Sequence, residues 1–249
     1  MIDIHTHILP NIDDGADSVS TAAELLRLEW EQGVKEVVCT PHYYGTRTTE
    51  EFIALRAEAK ARLEEYIPLG MKVRLGAEVM ITGVNDPTDE ALCSLAIEGT
   101  KCVLFELPFT ARWSNRVLDR INEFIINTGY TPILAHVERY NEVLENPEIL
   151  SYLVQIGCLI QINTHAFIDK KQRRFALALL KHGLLHCIGT DTHDTQHRAP
   201  DYQEAKRIIC KAGKSDEWTD LQWCMKKILA GEALRKPFGR IKKIGKWYF

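Results

Sequence analysis

The sequence contains histidines and acidic residues at spacings that could bind metal ions. It opens with His5-Thr6-His7, and in an extended segment two imidazoles at this spacing lie on one face, close enough to reach one ion. The pair alone is weak evidence, because two histidines in a turn or at the surface can share this spacing by chance. Asp191 and His193 repeat the spacing near the other end of the chain. Further candidates between the two pairs decide the interpretation.

Two of these candidates follow the first pair closely. Asp13-Asp14-Gly15 is typical of an Asx turn, and either of its carboxylates could also be a metal ligand. His42 follows Thr40-Pro41 at the end of an apolar run. Because proline has no N–H to donate to a neighbouring strand, we expect His42 to leave the sheet at the end where the strands finish.

Other candidates come directly after apolar runs. Glu78 and Glu106 each end such a run, and a buried carboxylate without a cationic partner is costly. A salt bridge is the alternative, but the histidines predicted at the same end favour metal ligation. His136 also ends an apolar run and precedes Glu138-Arg139, which is either a surface ion pair or the source of a guanidinium that binds an anion. Arg198 follows the Asp191 and His193 pair in a loop.

Together these candidates form a mixed nitrogen and oxygen donor set, which suits Mn, Fe or Zn. The set is His5, His7, His42, His136, His193, Glu78, Glu106, Asp191 and one of Asp13 and Asp14. Nine ligands exceed what one ion can use, so we predict two or three divalent ions. A cluster of that kind lowers the pKa of a bridging water and stabilises the oxygens of an in-line displacement. Hydrolysis of a phosphoester is the expected reaction.

A repeated unit of helix, glycine and strand positions these residues. Glycine follows a helix-like segment and precedes a short apolar run at Gly33, Gly70, Gly99, Gly129, Gly157 and Gly183. Glycine just past a helix commonly adopts the left-handed conformation, after which the chain restarts as a strand. Thr21-x-x-Glu24 and Thr48-x-x-Glu51 are capping-box patterns that we expect to open helices after the first two strands.

Seven strands alternate with helices in this pattern. They are predicted at residues 2–5, 34–40, 72–78, 101–106, 132–136, 158–163 and 186–190. Several are continuous apolar runs, which is typical of parallel strands covered by helices, so the fold is α/β, either a closed barrel or an open doubly wound sheet. In both, active sites gather at the carboxyl ends of the strands, where the candidate ligands occur. Residues 218–229 have helical spacing with one apolar face.

Composition limits the classes of partner. The 249 residues are 45% apolar, and the net charge of -3 provides no cationic field for nucleic acid. We find no secretory signal and no apolar run long enough for a membrane span. The seven cysteines are scattered without a C-x-x-C pair, and we interpret them as buried reduced thiols of a cytoplasmic protein.

The combined motifs are specific for one family. Asp3-Ile4-His5-Thr6-His7-Ile8-Leu9-Pro10, Asp13-Asp14-Gly15, Thr40-Pro41-His42, Gly76-Ala77-Glu78, Phe105-Glu106-Leu107-Pro108 and Ala135-His136-Val137-Glu138-Arg139-Tyr140 occur in the expected order, followed by Asp191-Thr192-His193 and Arg198. The chain resembles the bacterial PHP-type (polymerase and histidinol phosphatase superfamily) tyrosine-protein phosphatases of capsule and exopolysaccharide loci. The resemblance implies one domain over residues 1–249, a distorted (β/α)7 TIM-like barrel of the PHP fold, and a centre of up to three ions, usually Mn.

Site residues follow from the same resemblance. It implies the metal ligands His5, His7, Asp14, His42, Glu78, Glu106, His136, Asp191 and His193, and it selects Asp14 over Asp13. Arg139 and Arg198 would bind the phosphate of a phosphotyrosine protein, in this family the tail of a bacterial tyrosine kinase. A metal-activated hydroxide would attack phosphorus, and a metal-bound water or His42 would protonate the leaving group. His165 matches no ligand of the family and is interpreted as lining the pocket, whereas His182 and His186 are interpreted as structural.

Two alternative functions remain open from the sequence, and one alternative mechanism does not. A phosphocysteine mechanism is not supported, because no cysteine is followed six residues later by arginine. A small-molecule phosphatase resembling the histidinol-phosphatase branch shares the same strand-end ligands. A non-catalytic metal-bound adaptor that docks a kinase is suggested by the basic, aromatic residues 240–249, which could equally pack on the barrel. Tyr43, Tyr44, Trp113 and Phe167 are candidates either for stacking on a phosphotyrosine ring or for core packing.

Overall fold

The computed structural model describes residues 1–82, 85–110, 112–234, 238–245 and 247–248. Its strands are β1 (Ile2–Thr6), β2 (Glu36–Cys39), β3 (His42–Tyr43), β4 (Lys72–Leu75), β5 (Glu78–Met80), β6 (Cys102–Glu106), β7 (Thr131–Leu134), β8 (Leu159–Asn163), β9 (Cys187–Gly189), β10 (Lys243–Ile244) and β11 (Trp247–Tyr248). Its α-helices are α1 (Val19–Glu31), α2 (Thr49–Ala61), α3 (Asn115–Thr128), α4 (Asn141–Glu145), α5 (Glu148–Ile156), α6 (His165–Ile168), α7 (Arg173–Lys181), α8 (Tyr202–Lys211) and α9 (Ser215–Leu229).

Strands β1 to β9 form a curled parallel barrel. One sheet has the order β1-β2-β4 and a second has the order β3-β5-β6-β7-β8-β9. The ring closes between β1 and the segment after β9, where the Asp191 N–H donates to His5 O at 2.8 Å and the His7 N–H donates to Thr192 O at 2.9 Å. The predicted α/β fold, a distorted seven-position barrel, is therefore confirmed, and the open doubly wound alternative is wrong.

The distortion comes from two predicted strands that the structure divides. The strand expected at residues 34–40 becomes β2 and β3, separated at Pro41, and the strand expected at 72–78 becomes β4 and β5, separated at Gly76. The prediction that proline turns His42 out of the sheet is wrong, because His42 pairs with Glu78 in register across β3 and β5. After the two interruptions the chain continues in the second sheet, and its strands β3 and β5 begin with the candidate ligands His42 and Glu78.

The helix ends follow the predicted glycine rule. All six junction glycines have positive φ, from +66° at Gly129 to +107° at Gly157, so the left-handed conformation is confirmed. Thr48 forms the predicted capping box with Glu51 at the start of α2. The first box is wrong: Ser18 caps α1 and accepts a hydrogen bond from the Thr21 N–H, which places Thr21 inside the helix.

The helices cover the outside of the barrel. The predicted helix at 218–229 is confirmed as part of α9, which packs on β1 and β9, while α3 packs on β7 and α5 on β8. None of the described helices combines the length and apolarity needed to cross a bilayer. The C-terminal hairpin of β10 and β11 packs against α7, and the Tyr248 and Phe175 rings lie 5.2 Å apart. Two residues of the predicted basic tail, Lys246 and Phe249, lie outside the described residues.

Candidate metal centre

The nine predicted ligands meet at the carboxyl end of the barrel. Eight of them lie within a strand or at most four residues beyond its last residue: His5, His7, His42, Glu78, Glu106, His136, Asp191 and His193. Asp14 comes from the loop after β1. Their donor atoms fall into three overlapping groups, which we call the inner, middle and outer groups.

The inner group consists of His5, His7, Glu78 and Asp191, all buried. The His5 and His7 Nε2 atoms lie 3.1 Å apart, and they are 3.1 and 3.2 Å from Glu78 Oε2. Asp191 Oδ1 lies 3.6 Å from His5 Nε2 and 3.3 Å from His7 Nε2. Ligands of a tetrahedral ion with bonds of about 2.1 Å are separated by about 3.4 Å, so these four atoms form the corners of a metal-sized site.

The middle group consists of Glu78, Glu106 and His136, with His42 at its edge. His136 Nε2 lies 2.6 Å from Glu78 Oε1 and 3.5 Å from Glu106 Oε1. His42 Nδ1 lies 3.1 Å from Glu78 Oε2 and 3.7 Å from Glu106 Oε2. Glu78 therefore presents one oxygen to the inner group and the other to His136, as a bridging carboxylate does.

The outer group consists of Asp14, His42 and His193. Asp14 Oδ1 lies 3.5 Å from His42 Nε2 and 3.4 Å from His193 Nε2. The Asp14 side chain is 66% exposed, in contrast to the buried inner group. Imidazole and carboxylate donors are again within reach of a single cation, but here the site is open to solvent.

Unpartnered polar atoms mark the same positions. Glu78 Oε2, Glu106 Oε2, His42 Nδ1 and His193 Nε2 are buried and form no hydrogen bond with the described residues. Buried polar atoms without partners cost free energy, and four of them aimed into one cluster require compensation by cations. The donor chemistry and these unpartnered atoms both fit divalent metal ions.

Burial and neighbouring charges also shift the pKa values of the candidate ligands. Burial opposes the charged forms of Glu78 and Asp191, but the neighbouring histidines outweigh it and hold both pKa values well below the usual range. Burial and the charge of Glu78 raise the pKa of Glu106 to about 8. The carboxylates in turn raise the pKa of His5 and His7 against the effect of burial. A divalent cation would supply the same positive charge and release protons as it binds.

A supporting layer that the sequence did not reveal orients these ligands. Asp13 Oδ2 accepts a hydrogen bond from His7 Nδ1 at 2.7 Å and from the His42 N–H at 2.9 Å. Gln161 Oε1 accepts from the His136 N–H at 2.6 Å, and Asn163 Nδ2 donates to Asp191 Oδ2 at 2.7 Å. The only signal in the sequence was the presence of two polar side chains in the otherwise apolar strand β8. Asp13 is thus placed to support His7, while Asp14 faces the outer group.

Both predicted arginines meet the centre at one oxygen. Asp191 Oδ2 lies 2.6 Å from Arg198 Nη2 and 3.4 Å from Arg139 Nη1, whereas Oδ1 faces the inner group. The Arg139 guanidinium also lies over the Phe109 ring, 4.1 Å from its centroid. Each guanidinium remains over a third exposed and lines a cavity of about 350 Å³ beside the metal groups. Two cations at the edge of a candidate metal centre are suited to an anion such as phosphate.

The backbone near the centre is tightly constrained. His136 and Asp191 have φ values of +31° and +54°, and non-glycine residues occupy this region at a cost of about 1–2 kcal/mol. Gly189 lies so close to β1 that an added Cβ would be 2.4 Å from His5 Cβ. The chain tolerates strain and close approach at the residues that aim ligands inward.

The remaining predicted residues have separate outcomes. Phe167 and Tyr43 are buried in the core, and Trp113 is half-buried beside Tyr140, so stacking on a substrate ring is left to Tyr44. Tyr44 is 48% exposed and stacks on His42 with ring centroids 5.1 Å apart. The structural interpretation of His186 is confirmed, because its Nδ1 accepts a hydrogen bond from the Ile160 N–H inside the barrel wall.

Known proteins share both the sequence pattern and the fold. The chain is 33% identical over 218 residues to the tyrosine-protein phosphatase YwqE of Bacillus subtilis, covering 85% of this chain and 84% of that protein. It is 29% identical over 228 residues to the tyrosine-protein phosphatase CpsB of Streptococcus agalactiae serotype III, covering 85% and 90%.

The structural comparison extends over almost the whole chain. A crystal structure from a study of YwqE from Bacillus subtilis and CpsB from Streptococcus pneumoniae, described there as metal-dependent tyrosine phosphatases, superposes with a TM-score of 0.83 at 28% identity, covering 98% of this chain and 100% of that chain. The sequence profile of the family described as capsular polysaccharide synthesis, CpsB/CapC, matches residues 1–227. The chain therefore belongs to the CpsB/CapC family.

Proposed function

We propose that this protein is a metal-dependent protein-tyrosine phosphatase that hydrolyses phosphotyrosine with a metal-activated hydroxide. The observation that carries this proposal is the position of Asp191, whose one oxygen faces the inner metal group while the other contacts two arginines. A phosphoryl group bound by those arginines would lie next to the residues that would hold the metal ions. Relatives with the same fold are named tyrosine-protein phosphatases, which supports the same reaction here.

The residues of the three groups would hold two or three divalent ions, of which Mn is our first choice and Fe or Zn the alternatives. The inner ion would use His5, His7, Glu78 and Asp191, the middle ion Glu78, Glu106 and His136, and the outer ion Asp14, His42 and His193. When bound, such ions activate water and neutralise charge on the phosphoryl oxygens. The mixed nitrogen and oxygen donor set, which contains no thiol, supports Mn over softer metals.

The side chains of this chain bind and orient the substrate. Arg139 and Arg198 lie on the same side of Asp191, where they can neutralise the equatorial oxygens of the phosphoryl group as charge develops on them. Tyr44 and Phe109 provide aromatic faces at the rim, which suit a phenyl leaving group. We propose as substrate a phosphotyrosine protein, the tail of a bacterial tyrosine kinase that controls capsule or exopolysaccharide synthesis.

Residues 1–249 would act as one domain, because the C-terminal hairpin packs on α7 and the Gly239 N–H donates to His182 O at 2.7 Å. The seven cysteines are free, five of them buried and Cys93 and Cys210 half-buried. Free thiols support a reducing compartment, and we propose the cytoplasm.

The test is phosphate release from a phosphotyrosine peptide by the purified full chain with Mn, Mg or Zn and after chelation, with histidinol phosphate as a second substrate. We expect metal-dependent release that is lost in His136→Ala and kept in His182→Ala, since His182 lies away from the centre. A preference for histidinol phosphate would assign the protein to small-molecule hydrolysis instead. If metal binds but neither substrate is hydrolysed, the protein would instead be a non-catalytic, metal-bound adaptor.

A further inference from the structure

The cavity beside the two arginines contains a histidine that the three metal groups do not use. His165 follows β8 at the start of α6, and its side chain is 67% exposed. It lines the same cavity of about 350 Å³ as Arg139 and Arg198. A titratable side chain here would face a phosphoryl group held by the arginines.

The carboxylate of Asp201, which is less exposed than His165, holds the His165 ring. Its Nδ1 lies 3.0 Å from Asp201 Oδ2, and Asp201 Oδ1 accepts a hydrogen bond from Thr164 Oγ1. Asp201 directly precedes α8, and α8 packs against α6, so the two side chains are carried by elements in contact. The carboxylate holds the Nδ1 proton, so in the imidazolium form the second proton of the ring is on Nε2, and loss of that proton leaves the neutral tautomer protonated on Nδ1. The second nitrogen, Nε2, makes no hydrogen bond with another described residue and is the one available to exchange a proton with a bound molecule.

The proposed reaction needs a proton donor that the metal groups do not supply well. A tyrosine phenolate is a poor leaving group unless it is protonated as the P–O bond breaks. His42 is one of the two donors considered from the sequence, but its two ring nitrogens lie 3.1 Å from Glu78 Oε2 and 3.5 Å from Asp14 Oδ1. Both nitrogens therefore face carboxylates of the metal groups, and His42 is not among the residues that line the cavity of Arg139 and Arg198.

We propose that His165, oriented by Asp201, is the general acid that protonates the leaving phenolate oxygen. This inference rests on the proposed phosphatase function. As a hydroxide ion derived from water forms its bond to phosphorus, the phosphorus–phenolate bond breaks, and its electron pair stays on the phenolate oxygen. That oxygen takes the proton from Nε2, which leaves neutral His165, a free tyrosine hydroxyl and hydrogen phosphate. His165 regains a proton from solvent before the next turnover.

Other charged groups line this cavity and contribute to its pH response. They are Glu138, Arg139, Asp191, His197, Arg198 and Asp201. His197 is the useful comparison, because it is an exposed histidine of the same cavity and its ring forms no ion pair with a carboxylate among the described residues. It serves as a matched control for His165.

The experiment compares His165→Ala and His165→Gln with His197→Ala on aryl phosphates whose leaving groups differ in acidity. We expect kcat/KM for phenyl phosphate and a phosphotyrosine peptide to fall by about 100-fold in the His165 variants, as loss of a general acid does. For 2,4-dinitrophenyl phosphate, whose leaving group needs no proton, the loss should stay below about 3-fold. Asp201→Asn should lower kcat by a smaller factor for phenyl phosphate and leave kcat for 2,4-dinitrophenyl phosphate unchanged.

Four results would overturn the proposal. Equal losses on all leaving groups would make His165 a binding or structural residue, as would an equal loss in His197→Ala. Unchanged activity of both His165 variants on phenyl phosphate would place the proton donor elsewhere while leaving the phosphatase function intact. If the wild-type protein hydrolyses none of the aryl phosphates in the presence of Mn, the proposed function itself fails, and the role of His165 fails with it.

Discussion

The inner and outer groups use the same residue types but differ in how the fold holds them. The inner donors are carried by β1, β5 and the backbone just after β9, and all are buried. The outer group depends on Asp14, which lies in a loop and is 66% exposed. Ligands that are fixed by a barrel wall lose little conformational entropy when an ion binds, whereas a loop carboxylate must be ordered by it. The comparison teaches that burial, more than donor chemistry, should rank the affinities of the two sites.

The supporting layer shows the same asymmetry. Asp13 accepts hydrogen bonds from His7 Nδ1, the His42 N–H and the Gly15 N–H, so the carboxylate next to Asp14 is fixed. Asp14 itself contacts the imidazoles of His42 and His193. We expect the inner ion to resist dialysis and the outer ion to exchange with solvent. The following predictions test this difference, beginning with the largest effect.

Glu78→Gln should abolish the expected difference in metal affinity between the inner and outer groups. Glu78 contacts four candidate ligands: His5, His7, His42 and His136. We expect kcat/KM on a phosphotyrosine peptide to fall on the order of 1000-fold, with loss of more than one ion per chain. Atomic emission after dialysis measures the ions. Retention of all the ions that the wild type binds would show that Glu78 does not bridge.

Asp14→Asn should remove the outer ion and leave the inner one. We expect kcat/KM to fall by about 10–100-fold, with partial recovery at high Mn concentration, because the imidazoles of His42 and His193 remain in place. In a thermal melt, added Mn should still stabilise this variant, but not Glu78→Gln. If Asp14→Asn loses Mn stabilisation as completely as Glu78→Gln does, the two groups bind as one unit and the ranking by burial is wrong.

Gly189→Ala tests the rigidity of the inner group alone. The added Cβ would lie 2.4 Å from His5 Cβ, so β1 and β9 must separate, which we expect to cost about 1–3 kcal/mol of unfolding free energy. Denaturant unfolding with and without Mn measures this cost. Gly213→Ala is the control, since an added Cβ there meets nothing within 4 Å and only the positive φ of +72° is penalised. Equal losses of unfolding free energy in both variants would mean that β1 moves away from Gly189 at little cost.

Tyr44→Ala should have the smallest effect, confined to the outer rim. Tyr44 stacks on His42 and is the exposed aromatic residue near the outer group, so its loss should raise KM for a phosphotyrosine peptide about 3–10-fold with little change in kcat. Tyr66→Ala is a matched control, because Tyr66 is 47% exposed, close to the 48% of Tyr44, and lies in a turn after α2. An equal rise in KM in the control would exclude a specific role for Tyr44.

Much of the architecture could be predicted because its signals are local. The glycines that end helices, the apolar strands and the polar residue at each strand end can all be recognised in short windows, and they placed the candidate ligands at one end of a parallel barrel. The division of two strands could not be predicted, because it depends on how residues 40–41 and 76–77 meet between two paired segments, Cys39 with Leu75 and His42 with Glu78. Local sequence patterns contain no information about such pairing.

The supporting residues were missed for a related reason. Gln161 and Asn163 lie on β8 where every residue is buried, and only the closed barrel brings them to His136 and Asp191. The separate roles of Asp13 and Asp14 were indistinguishable from two adjacent carboxylates in a turn. Phe167 and Trp113 looked like rim residues because they follow strand ends, but the short helix α6 turns Phe167 into the core.

The two oxygens of Asp191 have a consequence for how the protein gives up its product. Asp191 Oδ2 contacts both Arg198 and Arg139, so one negative charge is shared between two guanidinium groups. A phosphate that binds the two arginines would therefore compete with this carboxylate for their N–H donors, and the carboxylate is already in contact with them when the phosphate leaves. Occupancy of the cavity and occupancy of the inner group are linked equilibria, since both draw on the charge of one carboxylate. We therefore expect free phosphate to be a weak inhibitor, and we expect its affinity to depend on how many metal ions are bound per chain.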